Sequence, residues 1–159
     1  MRLEDHVKNA YCESAEGRRT GDTAAELIGI RHYIRGAKNI VVPNRNTVKI
    51  MTINEVLGTY GLARATHLEC DTSCCDMSRM PTITKALMAL DCTSCDLVIA
   101  RGRLGLPGSG SMLVIVDLKG RILTAGLSPS HVVHKKPVAE AVRDEMVMAL
   151  ERVGFRPQE

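Results

Sequence analysis

Aromatic residues are nearly absent from this chain of 159 residues, which contains no Trp, one Phe and three Tyr. Proteins that bind single-stranded nucleic acid stack the bases on aromatic side chains, and this chain has too few to build such a surface. Its formal net charge of +3 is also small, whereas nucleic-acid-binding domains are strongly basic. We therefore expect no nucleic-acid partner, and the mild basic excess suits a small anionic ligand instead.

Long apolar runs are missing as well. No stretch approaches the roughly 20 residues that a membrane span requires, and residues 1–6 lack the apolar segment of a secretory signal. These absences predict a cytoplasmic protein with no membrane partner. At this length, residues 1–159 are expected to form a single domain that buries roughly two-thirds of the surface of the unfolded chain.

Cysteine is plentiful, and five of the six cysteines lie in two clusters. Cys70, Cys74 and Cys75 form the first cluster, and Cys92 and Cys95 form a Cys-x-x-Cys pair. In a cytoplasmic protein such residues are reduced thiols, metal ligands or catalytic groups more often than disulfides. The spacing lacks the regular pairing of zinc ribbons, which favours inert or ligand-lining thiols. A metal or redox module is the alternative.

The order of apolar segments predicts alternating strands and helices. Residues 96–100 and 112–116 both have the apolar composition of buried parallel strands, and the last two strands should form a hairpin around Lys119 and Gly120. The alternation favours an α/β fold with a mixed, mainly parallel central sheet and helices on both faces. Strands are predicted at residues 39–42, 64–69, 96–100, 112–116 and 121–125, and helices at residues 23–35, 47–58, 81–90 and 137–153.

Residues 101–111, between two of these strands, are mostly glycine, hydroxyl and arginine residues. Glycines let backbone N–H groups approach a phosphate, and hydroxyl and guanidinium groups donate further hydrogen bonds. Since ligands of open α/β sheets bind at the carboxyl ends of strands, this segment predicts a phosphate site, with a flexible surface loop as the alternative. At least one of Gly108 and Gly110 should need a positive φ or the space of a missing Cβ. The candidate ligands are Arg101, Gly102, Arg103, Gly105, Gly108, Ser109, Gly110 and Ser111.

A second candidate for phosphate binding lies where the first strand meets its helix. Asn46 and Lys49 are three residues apart, so both project from the first helical turn. Free N–H groups and the helix dipole already favour an anion there. The alternative is that Asn46 only caps the helix and that Lys49 is a solvated surface residue.

The third candidate is the cationic segment before the final helix. Lys135 and Lys136 precede Pro137 at a helix start, where an anion would offset their unfavourable interaction with the dipole. His131 or His134 could act as a general base, because an imidazole titrates near neutral pH. A structural hydrogen bond is the alternative role for each histidine. The acidic residues available for a metal are Asp71, Asp76, Asp91 and Asp96, and the sequence selects none of them.

Two resemblances refine these expectations. Residues 41–49, with Asn46 and Lys49, and residues 54–61 resemble the amino-terminal motif of the inosine-triphosphate pyrophosphatase family. That resemblance implies the fold of the family and a nucleotide triphosphate bound by Asn46 and Lys49. The acidic Asp-Asp-Ser-Gly-Leu segment of the family has no clear counterpart here, so the fold can carry over without the hydrolytic reaction.

A closer resemblance covers nearly the whole chain. Residues 80–87, 99–105, 107–111 and 128–136 are similar to the methanogen guanylyltransferase of iron-guanylylpyridinol cofactor biosynthesis. The resemblance implies a homodimer that joins the guanylyl group of GTP to a hydroxypyridine (a pyridinol) and releases pyrophosphate with Mg²⁺ present. A house-cleaning nucleoside-triphosphate pyrophosphatase, in which water replaces the pyridinol, is the alternative function.

Overall fold

The computed structural model describes residues 1–129 and 134–158. The helices of this part are α1 (Leu3–Ala15), α2 (Ala24–Gly36), α3 (Thr47–Thr59), α4 (Pro81–Cys92) and α5 (Val138–Arg152). Its strands are β1 (Ile40–Val42), β2 (Ala65–His67), β3 (Leu97–Arg103), β4 (Ser111–Asp117) and β5 (Ile122–Ser128), and a short 3₁₀ helix covers Ser73–Met77. None of the described helices is both long and apolar enough to cross a membrane.

The strands form one mixed sheet in the order β2-β1-β3-β4-β5. β1 pairs in parallel with β2 and β3, whereas β3, β4 and β5 pair in antiparallel order. The mixed α/β fold and the hairpin between β4 and β5 are therefore confirmed. The expectation that residues 112–116 form a parallel strand is wrong, because the connection from β3 is a short hairpin and not a crossover.

The glycine-rich segment is shorter than expected as a loop. Arg101, Gly102 and Arg103 belong to β3 and pair with Leu113, Met112 and Ser111 of β4. Only residues 104–110 turn between the two strands. The antiparallel ladder holds this part of β3 extended although Arg-Gly-Arg has little preference for a strand. The basic side chains consequently project from a rigid sheet.

Helices cover both faces of the sheet, as expected. Alternate residues of β3 separate into two cores because successive strand side chains point to opposite faces. Leu97 and Ile99 face a core that includes side chains of α2, α3 and α5, whereas Val98 and Ala100 face a smaller core that includes side chains of α4. The amino-terminal ends of α3 and α4 lie at the edge of the sheet where β1 and β3 end.

Candidate active site

A cavity of about 300 Å³ lies at the carboxyl end of β3. This is the edge at which open α/β sheets bind ligands. Its walls come from the first turn of α3, the second turn of α4, the end of β3 and the turn between β3 and β4. The lining residues are Lys49, Lys85, Arg101, Gly102, Arg103, Gly108, Gly110 and Ser111.

Most of the glycine-rich segment and Lys49, which are far apart in sequence, therefore line the same cavity. Gly105 and Ser109 do not line it: the Gly105 carbonyl accepts a hydrogen bond from Arg103, and the Ser109 hydroxyl donates to the Leu104 and Leu106 carbonyls inside the turn. These two residues shape the turn and leave the contacts with a ligand to the residues on either side of them.

Asn46 opens α3 as its N-cap. Its Oδ1 accepts hydrogen bonds from the backbone N–H groups of Val48 at 3.0 Å and Lys49 at 3.3 Å. This contact satisfies two of the free donors at the helix start. The side chain thereby fixes the turn from which Lys49 reaches the cavity.

Arg101 forms a buried ion pair with Glu145 of α5. Its Nε lies 2.7 Å from Glu145 Oε1, and its Nη2 lies 3.2 Å from Glu145 Oε2 and 2.9 Å from Ser111 Oγ. The Glu145 side chain is fully buried and that of Arg101 is 8% exposed. Glu145 thus neutralises the charge of Arg101, and the ion pair fixes the plane of the guanidinium group.

Arg103 joins the two loops that border the cavity. Its Nη1 donates to the Gly105 carbonyl at 2.6 Å, and its Nη2 donates to the carbonyls of Ser78 at 3.1 Å and Asp76 at 3.2 Å. Within the described residues all these acceptors are backbone oxygens, so no carboxylate neutralises its charge. Arg103 therefore adds positive potential while it holds the loops together.

Lys49 and Lys85 complete a cluster of cations. Burial lowers the pKa of Lys49 below its ordinary value, and the charges of Arg101 and Lys85 lower it further. Lys85 donates to the Arg101 carbonyl at 3.4 Å and lies 3.5 Å from Asp76, with its side chain 15% exposed. Partly buried cations that lie close together destabilise one another unless an anion binds beside them. The basic side chains that line the cavity therefore favour an anionic ligand.

Two members of this site, Lys85 and Glu145, were missed from the sequence. Each is a single charged residue on a buried helix face: Lys85 precedes buried Ala89 by four residues, and Glu145 follows buried Val142 by three. Residues at this spacing share a helix face, so the signal was present in both helices. A charge on a buried face needs a partner, which is Asp76 for Lys85 and Arg101 for Glu145.

Of the cationic segment before α5, the described residues His134, Lys135 and Lys136 are not among those that line the cavity. Lys136 forms an ion pair with Asp144, and the hydrogen bond that its ammonium group donates to this carboxylate raises the pKa of Lys136. His134 and Lys135 are exposed, and Lys135 has a positive φ of 53°. His131 lies outside the described residues. The roles predicted for these side chains stay predictions.

The four acidic candidates for a metal lie in different places. Asp96 accepts hydrogen bonds from the backbone N–H groups of Lys38 and Asn39 at the amino end of β1, and Asp71 accepts one from Ser73. Asp91 is exposed at the end of α4, and Asp76 pairs with Lys85. Over residues 1–129 and 134–158, no group of three or more His, Cys, Asp or Glu side chains is placed to hold a metal ion.

The positions of the cysteines in residues 1–129 and 134–158 also do not favour a metal or redox module. Cys75 and Cys95 are buried, and Cys12, Cys74 and Cys92 are exposed. Burial raises the pKa of Cys95, and the nearby charge of Asp96 raises it further. A raised pKa keeps the thiol protonated and weakens it as a metal ligand or nucleophile.

The comparison with known families agrees with the anion-binding geometry. Residues 3–155 match the family model described as FeGP cofactor biosynthesis protein HcgB, guanylyltransferase. The match covers nearly the whole chain. The protein belongs to this guanylyltransferase family. It is accordingly an enzyme, a nucleotidyltransferase of FeGP cofactor biosynthesis, and its substrate includes a nucleotide. Members of such a class must bind phosphate groups, and the cavity at the end of β3 has the charge and position for that task.

Proposed function

We propose that the enzyme transfers the guanylyl group of GTP to the hydroxyl of a pyridinol and releases pyrophosphate, and that the cavity at the end of β3 binds the triphosphate. The observation that carries the proposal is the charge balance of this cavity. Four basic side chains (Lys49, Lys85, Arg101 and Arg103) line it, and two carboxylates, Glu145 and Asp76, contact them. The excess positive charge suits a polyanion.

In the proposed reaction the pyridinol oxygen attacks the α-phosphorus. A new oxygen–phosphorus bond forms as the bond from the α-phosphorus to the bridging oxygen of the β-phosphate breaks, and pyrophosphate leaves with that electron pair. The hydroxyl proton passes to a base, for which His131 and His134 stay the predicted candidates. Positioning and charge stabilisation supply most of the catalysis of such transfers, and Lys49 and Lys85 are placed to provide both.

Magnesium would enter with the nucleotide. Mg²⁺ in nucleotide sites takes most of its ligands from phosphate oxygens and water, with one or two protein carboxylates. The absence of a carboxylate cluster among the described residues fits this mode and argues against a dedicated metal cage. Asp76, whose Oδ1 lies 3.5 Å from Lys85 Nζ, is the carboxylate that we propose as the protein ligand.

A homodimer forms part of this proposal. Support comes from the outer strand of the sheet, β5, which exposes the apolar side chains of Ile122 and Leu127. An outer strand with apolar side chains is a surface that proteins tend to cover. Sedimentation equilibrium should give twice the mass of the chain, and a monomer at micromolar concentration would contradict this part.

The function is tested by incubating the protein with GTP and Mg²⁺, with and without a pyridinol. We expect guanylylpyridinol and pyrophosphate in equal amounts, and no pyrophosphate when the pyridinol is omitted. Pyrophosphate and GMP formed without the pyridinol would show a pyrophosphatase instead. Lys85→Met should lower kcat/KM about 10- to 100-fold, the range for a charge-assisted hydrogen bond. Lys119→Met, which removes an exposed lysine at the β4–β5 turn, is the matched control.

A further inference from the structure

Glu145 is a fully buried charged residue, and two residues, Arg101 and Ser128, donate three hydrogen bonds to its carboxylate. Arg101 donates to both of its oxygens, at 2.7 and 3.2 Å, and the Ser128 hydroxyl donates to Oε2. Its side chain has no exposed surface. Such an ion pair contributes little to stability compared with apolar residues of similar size. Stability alone therefore does not explain its presence.

The backbone around Glu145 is built for close approach. Gly126 of β5 lies directly beneath α5, and a Cβ at Gly126 would overlap the Glu145 carbonyl oxygen. One helical turn later, the Thr124 hydroxyl donates to the Ala149 carbonyl at 2.7 Å. These two contacts place α5 against β5 closely enough for the Glu145 carboxylate to extend under β4 to Arg101 of β3.

One edge of the Arg101 guanidinium group makes no hydrogen bond with the described residues. Its Nε and Nη2 are used by Glu145 and Ser111, whereas among the described residues Nη1 has no hydrogen-bond partner. Arg101 lines the cavity, and Nη1 is the guanidinium nitrogen that its contacts with Glu145 and Ser111 leave for a ligand.

We propose that Glu145 is a positioning residue for the transfer reaction: it fixes the guanidinium of Arg101 so that the Nη1 edge faces the cavity and donates to a phosphate oxygen. The inference rests on the proposed function, because it assigns the phosphate contact to that cavity. An arginine held in two places loses little rotamer freedom when it binds an oxyanion. The negative charge of Glu145 by itself opposes anion binding. Its contribution is therefore the orientation of the Arg101 guanidinium group.

Glu145 can act on phosphate binding in two ways: it orients Arg101, which favours binding, and it carries a negative charge, which opposes binding. These two effects predict opposite results for Glu145→Gln. The amide of glutamine can accept from one guanidinium nitrogen, but its NH₂ group faces the other donor, so the second hydrogen bond is lost. If orientation matters, this variant binds inorganic tripolyphosphate at least tenfold more weakly in calorimetry. If only charge matters, removal of the carboxylate strengthens binding. Equal or tighter binding by Glu145→Gln would overturn the proposal.

A second variant separates this role from folding. Arg101→Met combined with Glu145→Met replaces the ion pair by apolar side chains, which commonly preserves or raises stability. We expect a melting temperature within a few degrees of the parent and tripolyphosphate binding reduced at least tenfold. Unchanged binding in this folded double variant would show that the pair is structural only.

The control is Asp117→Asn. Asp117 lies at the opposite end of β4, is 1% exposed and forms a comparable ion pair with Arg121. It should lower the melting temperature without changing tripolyphosphate affinity. In the transfer assay Glu145→Gln should raise KM for GTP at least tenfold with kcat within threefold, because the lost contact exists before and during the reaction. Partial unfolding would lower kcat and leave KM unchanged, and that result would overturn the proposal.

The binding assay also separates this inference from the proposed function. Tripolyphosphate binding by the parent protein, weakened in both variants, supports the positioning role even if no guanylyl transfer occurs. Transfer by the parent protein with unaltered KM and binding in both variants supports the function and rejects the role of Glu145.

Discussion

Gly110 lies so close to Ser128 that a Cβ on Gly110 would overlap the Ser128 carbonyl oxygen. The backbone of Gly110 also has a φ of +128°, a conformation that other residues rarely adopt. The expectation that Gly108 or Gly110 requires a positive φ is confirmed for both, since Gly108 has a φ of +78°. The space around the two glycines differs, because a Cβ at Gly108 would meet no atom within 4 Å.

This difference predicts unequal effects of alanine at the two positions. Gly108→Ala should cost about 1–2 kcal/mol of stability, the usual strain of a side chain in the left-handed region. Gly110→Ala adds the overlap with Ser128 and should cost more and weaken tripolyphosphate binding, since the turn must move away from β5. Thermal unfolding and calorimetry on both variants test this. Equal stability of the two variants would contradict the geometry.

Lys49 should lower the stability of the ligand-free protein. Its pKa is lowered in the folded state, so between the folded and unfolded pKa values the unfolded chain binds more protons and stability rises with pH. At pH values below that window, the charged lysine carries its full unfavourable effect. Lys49→Met should therefore raise the melting temperature by about 2 °C or more, while tripolyphosphate binding falls about 10- to 100-fold. Lys8→Met, on an exposed face of α1, is the control, and a fall in melting temperature for Lys49→Met would reject the argument.

Asp96 is expected to act on stability and not on catalysis. The hydrogen bonds that the backbone N–H groups of Asn39 and Lys38 donate to Asp96 lower its pKa. Its contribution to stability is therefore present at pH values above the ordinary carboxyl pKa and is lost as pH falls through the lowered pKa. Asp96→Asn should cost about 1–2 kcal/mol at pH 7 and progressively less in acid. Urea unfolding from pH 7 to pH 3 measures this. A pH-independent difference, or a changed Mg²⁺ requirement of the transfer reaction, would show another role.

Cys92 should be dispensable. Its side chain is exposed at the end of α4, and over the described residues it belongs to no group that could hold a metal. Cys92→Ser should keep guanylyl transfer within a few-fold of the parent and remain folded. Stoichiometric zinc or iron that disappears in this variant, together with loss of folding, would favour the metal module.

The sequence predicted the fold better than the site. The helix from Thr47 and the strand at residues 97–100 followed from apolar spacing and from a capping Asn46, because these signals are local. The direction of β4 was wrong, since a glycine-rich hairpin and a long loop look alike in sequence. The partner of Arg101 was missed because 44 residues separate Arg101 from Glu145 and only the docking of α5 joins them.

The position of Glu145 in the chain also affects the order of synthesis. A ribosome releases the segments with Lys49, Lys85 and Arg101 before α5, so the growing chain carries this cluster of cations without its buried carboxylate. All five strands precede α5 in the chain, but Arg101 stays unanchored until Glu145 is added. The phosphate contact that we propose for Arg101 therefore requires the segment that forms α5.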